Sequence, residues 1–497
     1  MKFKAKYSTQ MNNNLEIRIK ELFKNAFIYG FGSIAQSGLN FLLIPVMTIY
    51  LSQKEFGIYS LILMSGIIAS SIFYLGITSA LPRSYFDFDD QNKRNSIFSS
   101  GLFIIFIGAI SQLFIGYFFQ ENISYFLFRE IVETKSVFWC FFAGSIGVLN
   151  QYLLGFLRIL RFAITSVIIN ISSLILSIGL IIFSLNLFPE NKILVSFVAL
   201  TLSNAITFIF LFSVIFSKYF IFKFDFDESR KLIAFGVASV FASIGYMFFE
   251  WSDRFIIERF LSLPDVGVYS AAVRIGSIIN VLMIIPFAQI WSPMMIEYKN
   301  DDYVKDLFSK VTSYFMIIGI IFLVPGIIFS FEISTILIQF QETNFNEIST
   351  VASIFMISYF FYGLSNITTV GIIYERKAHM LPFVYIFFGF IKFYLGLLVV
   401  SKYGLVGLSF VALFISLFVP IAFYYISKFY FTFKIEIREI FKALLFILLL
   451  IVFKLTESFF QINLIEKILL IGFFYTLIIF NFLGKEEKNF LKKYLFK

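Results

Sequence analysis

Apolar runs of about 20 residues, enough to cross a roughly 30 Å hydrocarbon layer as a helix, recur throughout this chain. They fall near 25–49, 57–81, 97–119, 137–157, 162–185, 193–217, 232–252, 267–290, 312–331, 349–373, 380–400, 405–427, 440–456 and 466–484. A bilayer core offers no water to hydrogen-bond a backbone, so runs this long and continuous must be helices rather than barrel strands. The expected fold is an all-α polytopic membrane protein with about 14 transmembrane helices. Composition agrees, because 59% hydrophobic residues, 14% charged residues and 73 phenylalanines cannot be hidden in one water-soluble core.

Several chemistries are excluded early. A single cysteine, Cys140, and a single histidine, His379, leave no disulfide framework, zinc cluster or triad needing more than one histidine. The chain has no GxxxxGK[ST] phosphate loop, so ATP hydrolysis within it is not expected, and neither a metal nor a cofactor is expected. The basic amphipathic segment 1–24 lacks a short apolar core followed by a cleavage site and is expected to stay attached.

Lysines and arginines divide unevenly when those within two residues of a run end are counted with the adjoining loop: 29 on the side of the N-terminus and 9 on the other, with Arg274 and Lys392 deep inside runs. By the positive-inside rule both termini are expected in the cytoplasm. That requires an even number of spans. The net charge of +9 is then mostly a topology signal, and no nucleic-acid partner is expected.

The stretch YLSQKEFGIYS (50–60) returns as FLSLPDVGVYS (260–270), 210 residues later. SFVAL recurs at 196–200 and 409–413, and Pro82 and Pro293 end spans 2 and 8. Three ordered correspondences at 210, 213 and 211 residues give six spans, six more, and two left over. An even repeat unit makes the halves parallel, an architecture found among secondary transporters whose substrate site lies between them. The glycine of each repeated stretch is expected to make the tight turn of a hairpin. The resulting divisions are a cytoplasmic segment 1–24, a six-helix half 25–217, a linker 218–231, a second half 232–427, two further helices in 428–484, and a basic tail 485–497.

The two hairpins, the 6+6+2 layout, LPRSYF (81–86), WSDRFII (251–257) and AAVRIGS (271–277) together resemble the polysaccharide flippases. These are the O-antigen and capsule-unit translocases of the multidrug, oligosaccharidyl-lipid and polysaccharide exporter superfamily. The resemblance covers nearly the whole chain. It implies transport, without catalysis, of a polyprenyl-diphosphate-linked oligosaccharide from the cytoplasmic to the outer leaflet through a cationic cavity. Membrane lipids, a coupling proton or sodium ion, and polysaccharide-assembly proteins are the other implied partners. A multidrug exporter of the same fold, a lipid II flippase, and a membrane polysaccharide polymerase or ligase remain as alternatives.

Charges inside a bilayer are costly and normally face a bundle interior or aqueous cavity. Arg274 and Lys392 each sit roughly 12 Å from the outer end of their spans, a fitting depth for gripping a diphosphate or acidic sugar. Snorkelling is the alternative for Lys392, and pairing with a neighbouring helix for Arg274. Span 7 carries Ser239, Ser243, Tyr246, Glu250, Asp253 and Arg254 on one face, and span 1 carries Ser33, Gln36, Ser37 and Asn40. Arg254, Gln36 and Asn40 are candidates for substrate contact, and Arg83 joins them from LPRSYF. Glu250 and Asp253 are the candidate ion-coupling carboxylates, with an ion pair to Arg254 as the alternative. Arg158 and Arg161, and Arg376 and Lys377 in the equivalent loop, are candidates for the cytoplasmic mouth.

Overall fold

The computed structural model describes residues 32, 34–160, 162–297, 304–340, 344–375, 377–433, 437–457 and 462–481. The segments 1–24 and 485–497 therefore lie outside the described residues. The first half contains α1 (Ile34–Tyr50), α2 (Gln53–Phe73), α3 (Ile77–Phe86), α4 (Gln91–Phe118), α5 (Gln120–Phe128), α6 (Thr134–Ile159), α7 (Ala163–Leu187) and α8 (Lys192–Tyr219). The second contains α9 (Phe226–Phe260), α10 (Leu263–Gly276), α11 (Ile285–Glu297), α12 (Val304–Ile328), α13 (Ser330–Leu337), α14 (Phe345–Gly363), α15 (Ser365–Thr368), α16 (Val370–Tyr374) and α17 (Leu381–Lys428). Then follow α18 (Ile437–Thr456) and α19 (Leu464–Asn481). No strand occurs among the described residues, as expected of an all-α membrane protein.

Ten helices among the described residues are long and apolar enough to cross a membrane, fewer than the 14 expected. One of them, α17, is two legs joined at Gly404, whose φ of 57° suits glycine. A single 48-residue helix would be far longer than a bilayer core is thick.

The repeated stretches start α2 and α10 by the same device. Ser52 accepts from the Glu55 backbone N–H at 3.3 Å, and the Glu55 carboxylate accepts from the Ser52 N–H at 2.7 Å. In the second half Ser262 accepts from the Asp265 N–H at 3.3 Å and donates its hydroxyl to the Asp265 carboxylate at 2.5 Å. Both serve orphan donors at a helix start, which explains why Ser-x-x-acidic is present twice.

The glycines do something other than expected. Gly57 and Gly267 lie inside α2 and α10, and neither has the left-handed conformation that a tight turn would require. They face each other. A Cβ on Gly57 would overlap the Leu263 carbonyl, and one on Gly267 would overlap the Gln53 carbonyl. Their function is close helix approach, and it joins the two halves. At this hairpin end the Thr48 hydroxyl of α1 donates to the Leu337 carbonyl at 3.2 Å and accepts from the Gln339 N–H at 3.1 Å. Phe56 meets Phe340 edge-on at 5.6 Å.

At the other end, the segment between the halves lies on α4. Ser99 and Ser100 accept from the backbone N–H groups of Ile221 and Asp225 at 3.0 and 2.8 Å, and Lys93 pairs with Asp225. The left-handed residues Leu75 and Gly76 end α2 early, and the Leu75 carbonyl packs where Gly236 of α9 has no side chain. The outermost helices meet α13 through Lys467 of α19, which pairs with Glu332 at 2.9 Å and with Glu457 at 2.6 Å.

Candidate functional site

The charged residues of α9 converge with those of α10 and α17. Asp253, 1% exposed, accepts from Lys392 Nζ at 2.7 Å and from the Tyr269 hydroxyl at 2.8 Å, both on Oδ2. Lys392 also donates to the Phe249 carbonyl at 2.9 Å. Lys392 is therefore not snorkelling, and Asp253 pairs with it rather than with Arg254. A lysine and a carboxylate buried together satisfy much of what each loses on leaving water.

Arg254 follows Asp253 and is buried as well. Its Nε donates to the Ser270 hydroxyl at 3.3 Å, while Nη1 has no partner among the described residues. Arg274 stands on α10 with its guanidinium 5.9 Å from the Phe56 ring of α2, within electrostatic reach of Tyr59 and Arg254. Among the described residues no carboxylate forms an ion pair with either arginine. Two cations with spare donors thus stand where the halves meet, an arrangement suited to an anionic oxygen group.

Glu250, one turn before Asp253 in α9, accepts from the Tyr359 hydroxyl of α14. Tyr246, Tyr362 and Tyr385 pack nearby with their rings tilted or edge-on, and the Tyr362 hydroxyl is 2.9 Å from that of Tyr385. Neither Glu250 nor Asp253 pairs with Arg254, so the expected alternative for both carboxylates is replaced by other partners.

The remaining candidates whose side chains are described do not join this cluster. Gln36 accepts from the Asn170 side chain at 2.8 Å, linking α1 to α7, and Asn40 is exposed on α1. Arg158 is exposed near the end of α6, and Lys377 lies 4.2 Å from the Tyr430 ring centroid. Arg83 belongs to α3, but its side chain is outside the described residues, as are Arg161 and Arg376.

Sequence reasoning missed Tyr269, Ser270 and Tyr359. The first two were visible as the last two letters of the repeated hairpin, and they bind the Asp-Arg of WSDR. The counterpart of that dipeptide in the first half, one 210-residue repeat earlier, is Leu43-Ile44. The matching polar faces expected for spans 1 and 7 are accordingly unequal: the ionic cluster belongs to the second half.

A family model described as "Polysaccharide biosynthesis protein" matches residues 22–299. The chain belongs to that family. No curated protein sequence matches it. Among solved structures, it is similar to the lipid II flippase MurJ in an inward closed conformation, with 15% identity and a TM-score of 0.69. That match covers 92% of this chain and 98% of the other. An inward-facing multidrug resistance MATE family transporter of the MOP superfamily matches with 13% identity and a TM-score of 0.65, covering 81% and 97%. An outward-facing form matches with 13% identity and a TM-score of 0.63, covering 82% and 95%. These likenesses concern the fold. Together with the family they make the chain a multi-pass membrane protein of the polysaccharide-biosynthesis family.

Proposed function

We propose that the protein moves a polyprenyl-diphosphate-linked oligosaccharide, an O-antigen, capsule or related repeat unit, from the cytoplasmic to the outer leaflet of the inner membrane. Both termini are cytoplasmic, the hairpin end faces outward, and the two halves expose the substrate alternately. The single observation that carries this reading is the pair Arg254 and Arg274. Both stand at the meeting of α2, α9 and α10 without a carboxylate partner among the described residues, and Arg254 has an idle Nη1. A diphosphate supplies the oxygens such guanidiniums bind. A cationic drug would meet repulsion there.

Glu250 is the coupling carboxylate in this reading. It is only half-buried, and its partner is a tyrosine rather than a fixed cation, so neutralising it with a proton or sodium ion leaves no buried cation unpaired. Asp253, held by Lys392, is the positioning member of the pair.

The test is a leaflet-transfer assay in proteoliposomes containing the full chain. Polyprenyl-diphosphate oligosaccharide on one leaflet is scored by its accessibility to a soluble glycosidase. Transfer at least about tenfold above protein-free vesicles is expected, and a rate equal to that of empty vesicles overturns the reading. Orientation is tested separately by a thiol introduced at Lys54, which should react with an impermeant reagent outside intact cells. Protection of that thiol together with labelling of one at Lys485 would reverse the topology.

A further inference from the structure

The first half contains a cavity of about 220 Å³ between α2, α6 and α8 that the ionic cluster does not use. Its polar wall comprises Ser70, Ser71, Tyr74, Gln151 and Asn204, and Gly147 leaves part of it open; the rest is largely apolar. No charged side chain lines it among the described residues. Behind the wall, Gln112 donates to the Ser70 hydroxyl oxygen at 3.0 Å, and Asn150 donates to the Asn204 carbonyl at 2.9 Å. The carbonyl oxygens of those two buried amides, Gln112 Oε1 and Asn150 Oδ1, have no partner among the described residues. The Ser70 hydroxyl likewise meets no acceptor among the described residues.

Neutral hydroxyl and amide side chains around a partly apolar void, with no charge, match a neutral polyhydroxylated ring. Its hydroxyls need amide and hydroxyl partners, and its C–H faces need an apolar wall. A diphosphate would find no cation there. One face of α2 runs from the cavity toward the arginines. Tyr59, Leu63, Gly66, Ile67 and Ser70 follow one another at helical spacing, and Tyr59 has both Arg274 and Cys140 as electrostatic neighbours, Cys140 itself lining the cavity. From Tyr59 to Ser70 is about 16 Å of helix, a distance that a few linked sugar rings can span.

We infer that this cavity is a second subsite, which takes an uncharged sugar ring of the same substrate whose diphosphate is held by Arg254 and Arg274. The halves then divide recognition: the second binds the anion common to all such lipids, and the first selects the glycan. This inference rests on the function proposed above.

The test is binding to the full chain in lipid nanodiscs. One probe, the hexose lipid, is polyprenyl diphosphate bearing a chain of three neutral hexoses, and the other is the same lipid without sugar. Gly147→Val is the principal variant, since Gly147 lines the cavity and a Cβ there makes only an ordinary van der Waals contact, 3.6 Å to the Asn204 amide nitrogen, so the new side chain is accommodated while it occupies cavity space. It should weaken binding of the hexose lipid about tenfold, the scale of one or two lost hydrogen bonds, and leave the bare lipid within about twofold. Asn204→Leu should act in the same direction, while Arg274→Ala should weaken both lipids.

Equal affinity of the wild type for the two lipids overturns the subsite while leaving the transport reading intact, provided Arg274→Ala weakens both. No effect of Gly147→Val on the hexose lipid, or an equal effect on both lipids, also overturns it. Failure of the wild type to bind either lipid overturns the transport reading and the subsite with it.

Discussion

Arg274 and the Asp253–Lys392 pair illustrate two different uses of a charge inside a membrane. Arg274 has an aromatic ring beneath it and no carboxylate partner among the described residues, so its guanidinium is available to a guest. Replacing it by alanine should abolish transport with insertion unchanged, whereas Arg274→Lys should retain part of the rate because charge survives and the planar fork does not. The leaflet-transfer assay and a membrane-fraction blot read the two outcomes. Asp253 and Lys392 answer one another, so breaking the pair is costly. Asp253→Asn or Lys392→Met alone should destabilise by about 3 kcal/mol or more, and the double variant should lie closer to wild type, as thermal unfolding in detergent can show. Glu250→Gln should reduce the pH or sodium dependence of transport more than it reduces lipid binding. Reconstituted transport with full ion dependence in that variant would return Glu250 to a structural role beside Tyr359. The charges themselves were legible in the sequence because so few interrupt its apolar runs. Their partners were not, since Lys392 meets Asp253 across 139 positions of chain (392 − 253) and only folding selects which cation arrives.

At the scale of the element, α2 and α10 show a motif read correctly as a repeat and incompletely as a device. The Ser-x-x-acidic caps are local and follow from residues three apart. The glycines act over distance. Each removes a side chain where the other helix brings a backbone carbonyl, so Gly57→Val or Gly267→Val must push α2 and α10 apart at the hairpin end. Spin labels at Lys54 and Arg259, both exposed and on opposite halves, should report a longer distance in either variant. An unchanged distance distribution would show that the contact does not close this end. The turn in α2 is the opposite case. Its left-handed Leu75 and Gly76 lie in a continuous apolar run and interrupt it without a proline, so the sequence offers one long span where the structure has α2 and α3.

Across the whole molecule, the halves are joined covalently by a segment docked on α4. Burial acts to raise the Asp225 carboxyl, but the Lys93 ammonium and the Glu228 N–H outweigh it and hold the group below its ordinary value of 3.8. A folded-state value below the unfolded one gives stability that is present above the unfolded value and lost as pH falls through the folded one. Amide exchange over 221–229 should therefore accelerate between about pH 5 and about pH 3 in the wild type, relative to exchange of the unfolded chain. In Asp225→Asn, which still caps α9, the change across that interval should be smaller. The sequence by itself determined that the chain is a helical membrane protein, pointed to two parallel halves, and placed the two cations deep inside its apolar runs, Arg274 and Lys392, in the second half. Hydrophobic length, charge bias and internal repetition are properties of order along the chain, so they need no folding to be read. The tertiary structure alone decided that Lys392 is spent on Asp253, that the repeated glycines touch one another, and that the first half encloses an uncharged cavity. Each of these depends on which helix faces lie together, and helices of nearly uniform apolar character leave that choice to packing rather than to pattern.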